Sequence, residues 1–175
     1  MPLRLRLQPL PETIQEFELA AEERYWTGLE LMTRGDGAAG IYLMGYAAEM
    51  VLKNSYFLLD KQTTPAFPVG SQLGLAKLAA QQTPGFLPQY QFKSYHDLLF
   101  WALLLVEKRR QGGRPLPPNV GLPLMQHVQR LADNWFVELR YRSAQATASE
   151  MSEVYEDVTW IRDHYRNGSL YTPRR

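Results

Sequence analysis

The stretch from Gly40 to Asp60, GIYLMGYAAEMVLKNSYFLLD, restricts the fold of this chain more than any other. At about 100° per residue, Tyr42, Tyr46, Glu49, Lys53 and Tyr56 fall within a sector of roughly 80°. Ile41, Leu43, Met44, Met50, Val51, Leu52, Leu58 and Leu59 cover the rest of the helix surface. A helix that is apolar on nearly every side has to be enclosed by others. The spacing therefore predicts the central helix of an all-α bundle. Glu49 and Lys53, carried into its interior, then need a partner or a pocket.

The flanking sequence supplies the enclosing helices. From Pro11 to Arg34, Ile14, Phe17, Ala21, Tyr25, Leu29 and Met32 recur at helical spacing, with Glu18, Glu22, Glu23 and Glu30 on the solvated side. A second apolar run, LLFWALLLVE, lies in a helix expected over Tyr95–Gln111, where Ser94 and Asp97 stand in capping-box spacing. Another helix is expected from Pro123 to Tyr141, with Leu124, Val128, Leu131, Trp135 and Leu139 on one stripe that, extended a turn, brings Arg142 inward. A last helix, capped by Thr147 and Glu150, turns Met151, Tyr155, Val158 and Ile161 inward and stops at Asn167 and Gly168. The result is an up-and-down bundle of four or five helices.

At 175 residues and 45% hydrophobic content, residues 1–175 form one domain. Residues 61–93, with Pro65, Pro68, Pro84 and Pro88, read as a Pro/Gly-rich insertion between the second and third of these helices, holding one short helix over Ser71–Gln82. The period-two run Leu3 to Leu7 suits an extended arm over residues 1–10, and residues 168–175 a loosely held tail.

Composition then narrows function. Nineteen Lys and Arg against 18 Asp and Glu give no global field to attract nucleic acid or a membrane. The absence of cysteine removes disulfides, thiolate metal sites and cysteine nucleophiles, and suits a reducing cytoplasm. Three histidines leave little for a metal centre, so neither a metal nor a cofactor is expected. No apolar run approaches the length a membrane helix needs, and no phosphate loop, HExxH or serine nucleophile elbow is present.

Three groups of residues remain as candidates. Glu49 and Lys53 form an i, i+4 pair; on an exposed helix that is worth only about 0.3–0.5 kcal/mol. Buried, the pair needs further partners, such as a tyrosine hydroxyl or an arginine from a neighbouring helix, and the network either sets helix register or lines a pocket. Asp97 reads as a cap, which leaves His96 without a structural duty. Arg140, Tyr141 and Arg142 end the fourth helix, where guanidinium groups suit either a phosphate or the helix dipole.

In order, YLMGYAAEMVLKN at 42–54, SYHDLLF at 94–100, and Trp135 with Arg140 and Tyr141 resemble the HEPN domain family. The likeness runs from about Pro11 to Asn167. It implies a helical bundle, dimerisation, and a role in nucleotide or RNA handling beside a nucleotidyltransferase-type partner, as in toxin and antitoxin modules. Ribonuclease members carry an arginine, four to six residues, then a histidine. Here Gln145, Ala146 and Thr147 stand at those distances from Arg140, Thr147, Ala148 and Ser149 from Arg142, and His164 follows Arg162 too closely. The expectation is a non-catalytic module in which Tyr46, Glu49, Lys53, His96, Arg140, Tyr141 and Arg142 receive a nucleotide, RNA or a partner's polar group. Two alternatives stand beside it: a homodimer with no ligand, and an RNA-cleaving toxin component with a non-standard site that depends on His96.

Overall fold

A computed structural model describes residues 13–59, 69–82, 94–141 and 145–171. Among them are six α-helices and one 3-10 helix, and no strand: α1 (Ile14–Thr33), α2 (Gly37–Leu59), α3 (Val69–Gln82), α4 (Leu98–Gln111), α5 (Pro118–Asn134), the 3-10 helix Val137–Tyr141, and α6 (Ala148–Arg166). The helix α2 is central: it packs against α1, α4, α6 and the 3-10 helix, while α5 closes the bundle against α4 and α6. The arm over residues 1–10, most of the 61–93 excursion and Arg142 lie outside the described residues.

The apolarity of α2 explains its place. Met44 and Leu52 are fully buried, and they meet Trp101 and Leu105 of α4, Leu124 and Leu131 of α5, and Val158 and Ile161 of α6 in one core. Side chains of this size each contribute about 1.5–3 kcal/mol when enclosed. The crossing of α1 and α2 depends on the absence of side chains: a Cβ on Gly28 would stand 2.9 Å from the Gly40 carbonyl, and one on Gly40 would stand 2.7 Å from the Gly28 carbonyl. Larger residues at either position would force the two backbones apart.

Several expected boundaries move, for local reasons. The central helix starts at Gly37, because the turn after α1 closes by Asp36, whose carbonyl takes the Gly40 N–H at 3.0 Å. Helix α4 starts at Leu98 and not Tyr95. Asp97 is its N-cap and accepts the Phe100 N–H at 3.1 Å, whereas the Ser94 hydroxyl accepts from His96 N at 3.1 Å in the preceding turn. The two therefore cap separate structures in place of a reciprocal box. Helix α5 runs from Pro118 to Asn134, not from Pro123 to Tyr141. Pro118, which reads as linker beside Pro117, takes the first helical position, where a missing N–H costs nothing. Trp135 is extended, at φ −121° and ψ 131°, and ends the helix before the 3-10 turn.

Val158 and Ile161 of α6 are fully enclosed as expected, but Tyr155 is 40% exposed and Val154, also fully enclosed, takes its place on the inward face. The first residues of the tail are held firmly: Leu170 is fully buried, its N–H reaches the His164 carbonyl at 3.2 Å, and Tyr171 packs on Tyr165. The capping box of Thr147 and Glu150 forms as expected.

Candidate functional site

Glu49 and Lys53 come off adjacent turns of α2 into the core, with side chains only 4% and 5% exposed. Lys53 Nζ donates to Glu49 Oε1. The ammonium also faces aromatic rings, 5.3 Å from the Trp101 centroid and 6.0 Å from that of Phe17. Rings at such distances attract a cation by their quadrupole and partly replace lost water. Trp101 is held by its own indole N–H, which donates to the Tyr95 carbonyl at 2.9 Å.

The second carboxylate oxygen faces the mouth of the cluster. His96, in the turn before α4, places Nδ1 3.0 Å from Glu49 Oε2. A carboxylate already paired with an ammonium is an acceptor only, so His96 Nδ1 carries the hydrogen and Nε2 of the neutral ring carries the lone pair. The further partner that the buried pair requires is therefore the His96 imidazole. His96 is 41% exposed. It is thus the route by which the Glu49–Lys53 pair reaches solvent.

Tyr46 lines the same mouth. Its ring meets His96 edge-on at 5.5 Å, Trp135 at 5.3 Å and Tyr42 at 5.0 Å. Edge-to-face contacts of this kind orient each ring against the next. Trp135 lies flat on the helix because Gly45 leaves it room: a Cβ there would stand 2.1 Å from Trp135 Cδ1. Its indole N–H donates to the Tyr42 carbonyl at 3.0 Å, which fixes the corner between α5 and the 3-10 helix.

Four of the seven expected site residues, Tyr46, Glu49, Lys53 and His96, are therefore in one cluster. Arg140 and Tyr141 belong to the 3-10 helix, which packs against α2, but their side chains and all of Arg142 lie outside the described residues. Glu49 and Lys53 are sealed beneath His96, so what a ligand can touch is the imidazole edge and the half-buried Tyr42 and Tyr46 rings.

Sequence reasoning missed the aromatic floor. Phe17 and Trp101 read as ordinary members of apolar stripes, and only the three-dimensional crossing sets them under Lys53. A second ionic cluster, Asp157 with His127 and Arg130 across α5 and α6, was also not singled out. Its one sequence signal is the i, i+3 spacing of His127 and Arg130 on a helix. Glu22, expected on a solvated face, instead accepts a bidentate pair from Arg162, at 2.9 Å and 2.7 Å.

Among the described residues no group of three or more metal-ligating side chains forms, and no helix is long and apolar enough to cross a membrane. No family model, curated protein or solved structure matches the chain.

Proposed function

We propose that this chain is a non-catalytic, HEPN-like binding module that acts as a homodimer and receives at His96 a nucleotide or, alternatively, a polar group of a nucleotidyltransferase-type partner. The observation that carries this reading is the enclosed Glu49 carboxylate, neutralised by Lys53 on one oxygen and spending the other on His96. A core that needed only stability would be served as well by apolar side chains at both positions. The arrangement instead holds one exposed imidazole at a fixed angle among tyrosine rings, which is what recognition of a flat, polar base requires. His96 makes the contact, while Glu49 and Lys53 hold it in place.

The homodimer rests on α1, where Leu19 and Trp26, two turns apart, are 58% and 56% exposed. Large apolar groups standing together on one helix face mark an interface.

A thermal-shift series with ribonucleoside mono-, di- and triphosphates and a short single-stranded RNA tests the ligand. At 100 times its dissociation constant a ligand stabilises by about 2.7 kcal/mol, a shift of several degrees for a chain of this size. His96→Ala should abolish the shift, read against that variant's own unliganded melting temperature, which should itself fall because the enclosed Glu49 Oε2 loses its partner, a cost of about 1–3 kcal/mol. No shift with any of these probes would reject nucleotide binding and leave the ligand-free homodimer as the reading.

A further inference from the structure

The three histidines of this chain share one arrangement: each turns Nδ1 onto an acceptor and leaves Nε2 outward. His96 faces the Glu49 carboxylate at 3.0 Å, His127 the Asp157 carboxylate at 2.8 Å, and His164 the Trp160 carbonyl at 2.8 Å. None of the three Nε2 atoms is an enclosed polar atom lacking a partner. Of the three, His127 has the most elaborate setting and no part in the site above.

Asp157, on α6, is fully buried. Its Oδ1 accepts from His127 Nδ1 and from Arg130 Nε at 3.1 Å, and Arg130 Nη2 closes on the same oxygen. Arg130 Nη2 also stands 3.0 Å from His127 Nδ1, because both donors converge on Oδ1. The other tautomer would set the Nδ1 lone pair against that oxygen, so the hydrogen sits on Nδ1 and the lone pair on Nε2. Trp160 stacks on the imidazole at 4.5 Å and 22° and fixes its plane. The hydrogen bonds it donates to the Asp157 carboxylate hold the Arg130 guanidinium above its ordinary value, so it stays charged, and its Nη1 makes no hydrogen bond in a side chain that is 47% exposed.

A nitrogen lone pair with a carboxylate behind the ring is the arrangement of an activated nucleophile, and the Arg130 guanidinium at the Nδ1 edge of the same ring puts a positive charge close to it. Guanidinium geometry matches phosphoryl oxygens in particular. Glu156, 3.9 Å from Arg130, and the exposed Glu153 make the surroundings hostile to a polyanion such as RNA and leave room for a small donor.

We infer that His127 is a phosphoryl-acceptor site, modified at Nε2 by a small acyl phosphate. The Nε2 lone pair forms a bond to phosphorus as the bond from phosphorus to the acyl oxygen breaks. The carboxylate leaves with that electron pair, and the hydrogen stays on Nδ1. The ring thereby gains a positive charge that the Asp157 carboxylate faces, while the nearby Arg130 charge favours the approach of the anionic phosphoryl group. No oxidant, metal or further reactant is needed.

Incubation of the whole chain with acetyl phosphate, followed by intact-mass measurement and mapping of the peptide holding His127 at neutral pH, tests this. The expected result is one phosphoryl group per chain, stable in base, lost in acid, and located on His127. His96→Gln and His164→Gln should retain it and His127→Gln should lose it. Arg130→Met should slow labelling by roughly tenfold or more. The peptide map of the parent chain decides the point even if His127→Gln does not fold. An unlabelled parent chain, an acid-stable label, or a label shared evenly among the three histidines would overturn the assignment.

Discussion

Glu49 shows what one residue does in this protein. Its carboxylate bridges Lys53, which is sealed in the core, and His96, which is not. Removing it leaves an ammonium enclosed by Trp101 and Phe17 with no counter-charge, and breaking one half of a buried pair costs about 3–5 kcal/mol. Glu49→Ala should therefore lower the denaturant midpoint sharply at unchanged slope, whereas Glu49→Gln, which keeps an oxygen acceptor, should lose less. Equal stability of Glu49→Ala and the parent chain in urea would refute the buried-pair account. Residues of the candidate site were legible unevenly. The spacing of Glu49 and Lys53 was visible because one helix carries both, at an interval that periodicity resolves. The junction with His96 was expected only through the family likeness, since 47 positions separate it from Glu49 and no local pattern encodes where two helices cross.

At the scale of elements, ends are decided by single side chains. Thr147 accepts the Glu150 N–H at 3.2 Å while the Glu150 carboxylate accepts the Thr147 N–H at 2.7 Å, so two otherwise orphan donors at the start of α6 are met. The hydrogen bond from the Thr147 backbone, with that from its hydroxyl, holds the Glu150 carboxyl below the usual carboxylate value. Thr147→Ala should destabilise the chain by about 1 kcal/mol. Thr147→Ser should restore most of that loss, and a comparison of the three chains by urea unfolding checks both. This cap was legible because its signal lies within four residues. The limits of α5 were not: Pro117 and Pro118 look like linker, yet Pro118 opens the helix, and Trp135 ends it by packing against Gly45, a contact outside any local window.

Across the whole molecule, the apolarity of α2 announced a bundle with a buried centre, and that much of the fold needed no knowledge of contacts. Which outer helices touch was hidden, because faces that look equally polar in sequence can pair in space. Glu22 of α1 and Arg162 of α6 are the clearest instance. The guanidinium forms its bidentate pair with Glu22 and lies 4.4 Å from the Tyr25 ring and 5.4 Å from that of Trp26, tying the first helix to the last. Burial alone would raise the Glu22 carboxyl, but the hydrogen bonds and charge of Arg162, with Arg166 behind it, outweigh burial and hold the carboxyl below its ordinary value of 4.5. A carboxyl lowered on folding adds stability that is fully present above its unfolded value and is lost as pH falls through its folded value. The Glu22 side chain is 36% exposed, so solvent screens the pair and its worth is about 1 kcal/mol or less. Glu107, also lowered, bonds to Arg110 within α4 and contributes its own slope, so the contribution of Glu22 has to be read as a difference. The free energy of unfolding of Glu22→Gln should lie below that of the parent chain at neutral pH by a constant amount. The two curves should converge below 4.5, where the parent carboxyl gains its proton. Added salt should narrow the gap at neutral pH, since the pair is partly open to water. A gap that persists unchanged into acid would mean that Glu22 stabilises the α1–α6 contact by packing alone and not through its charge.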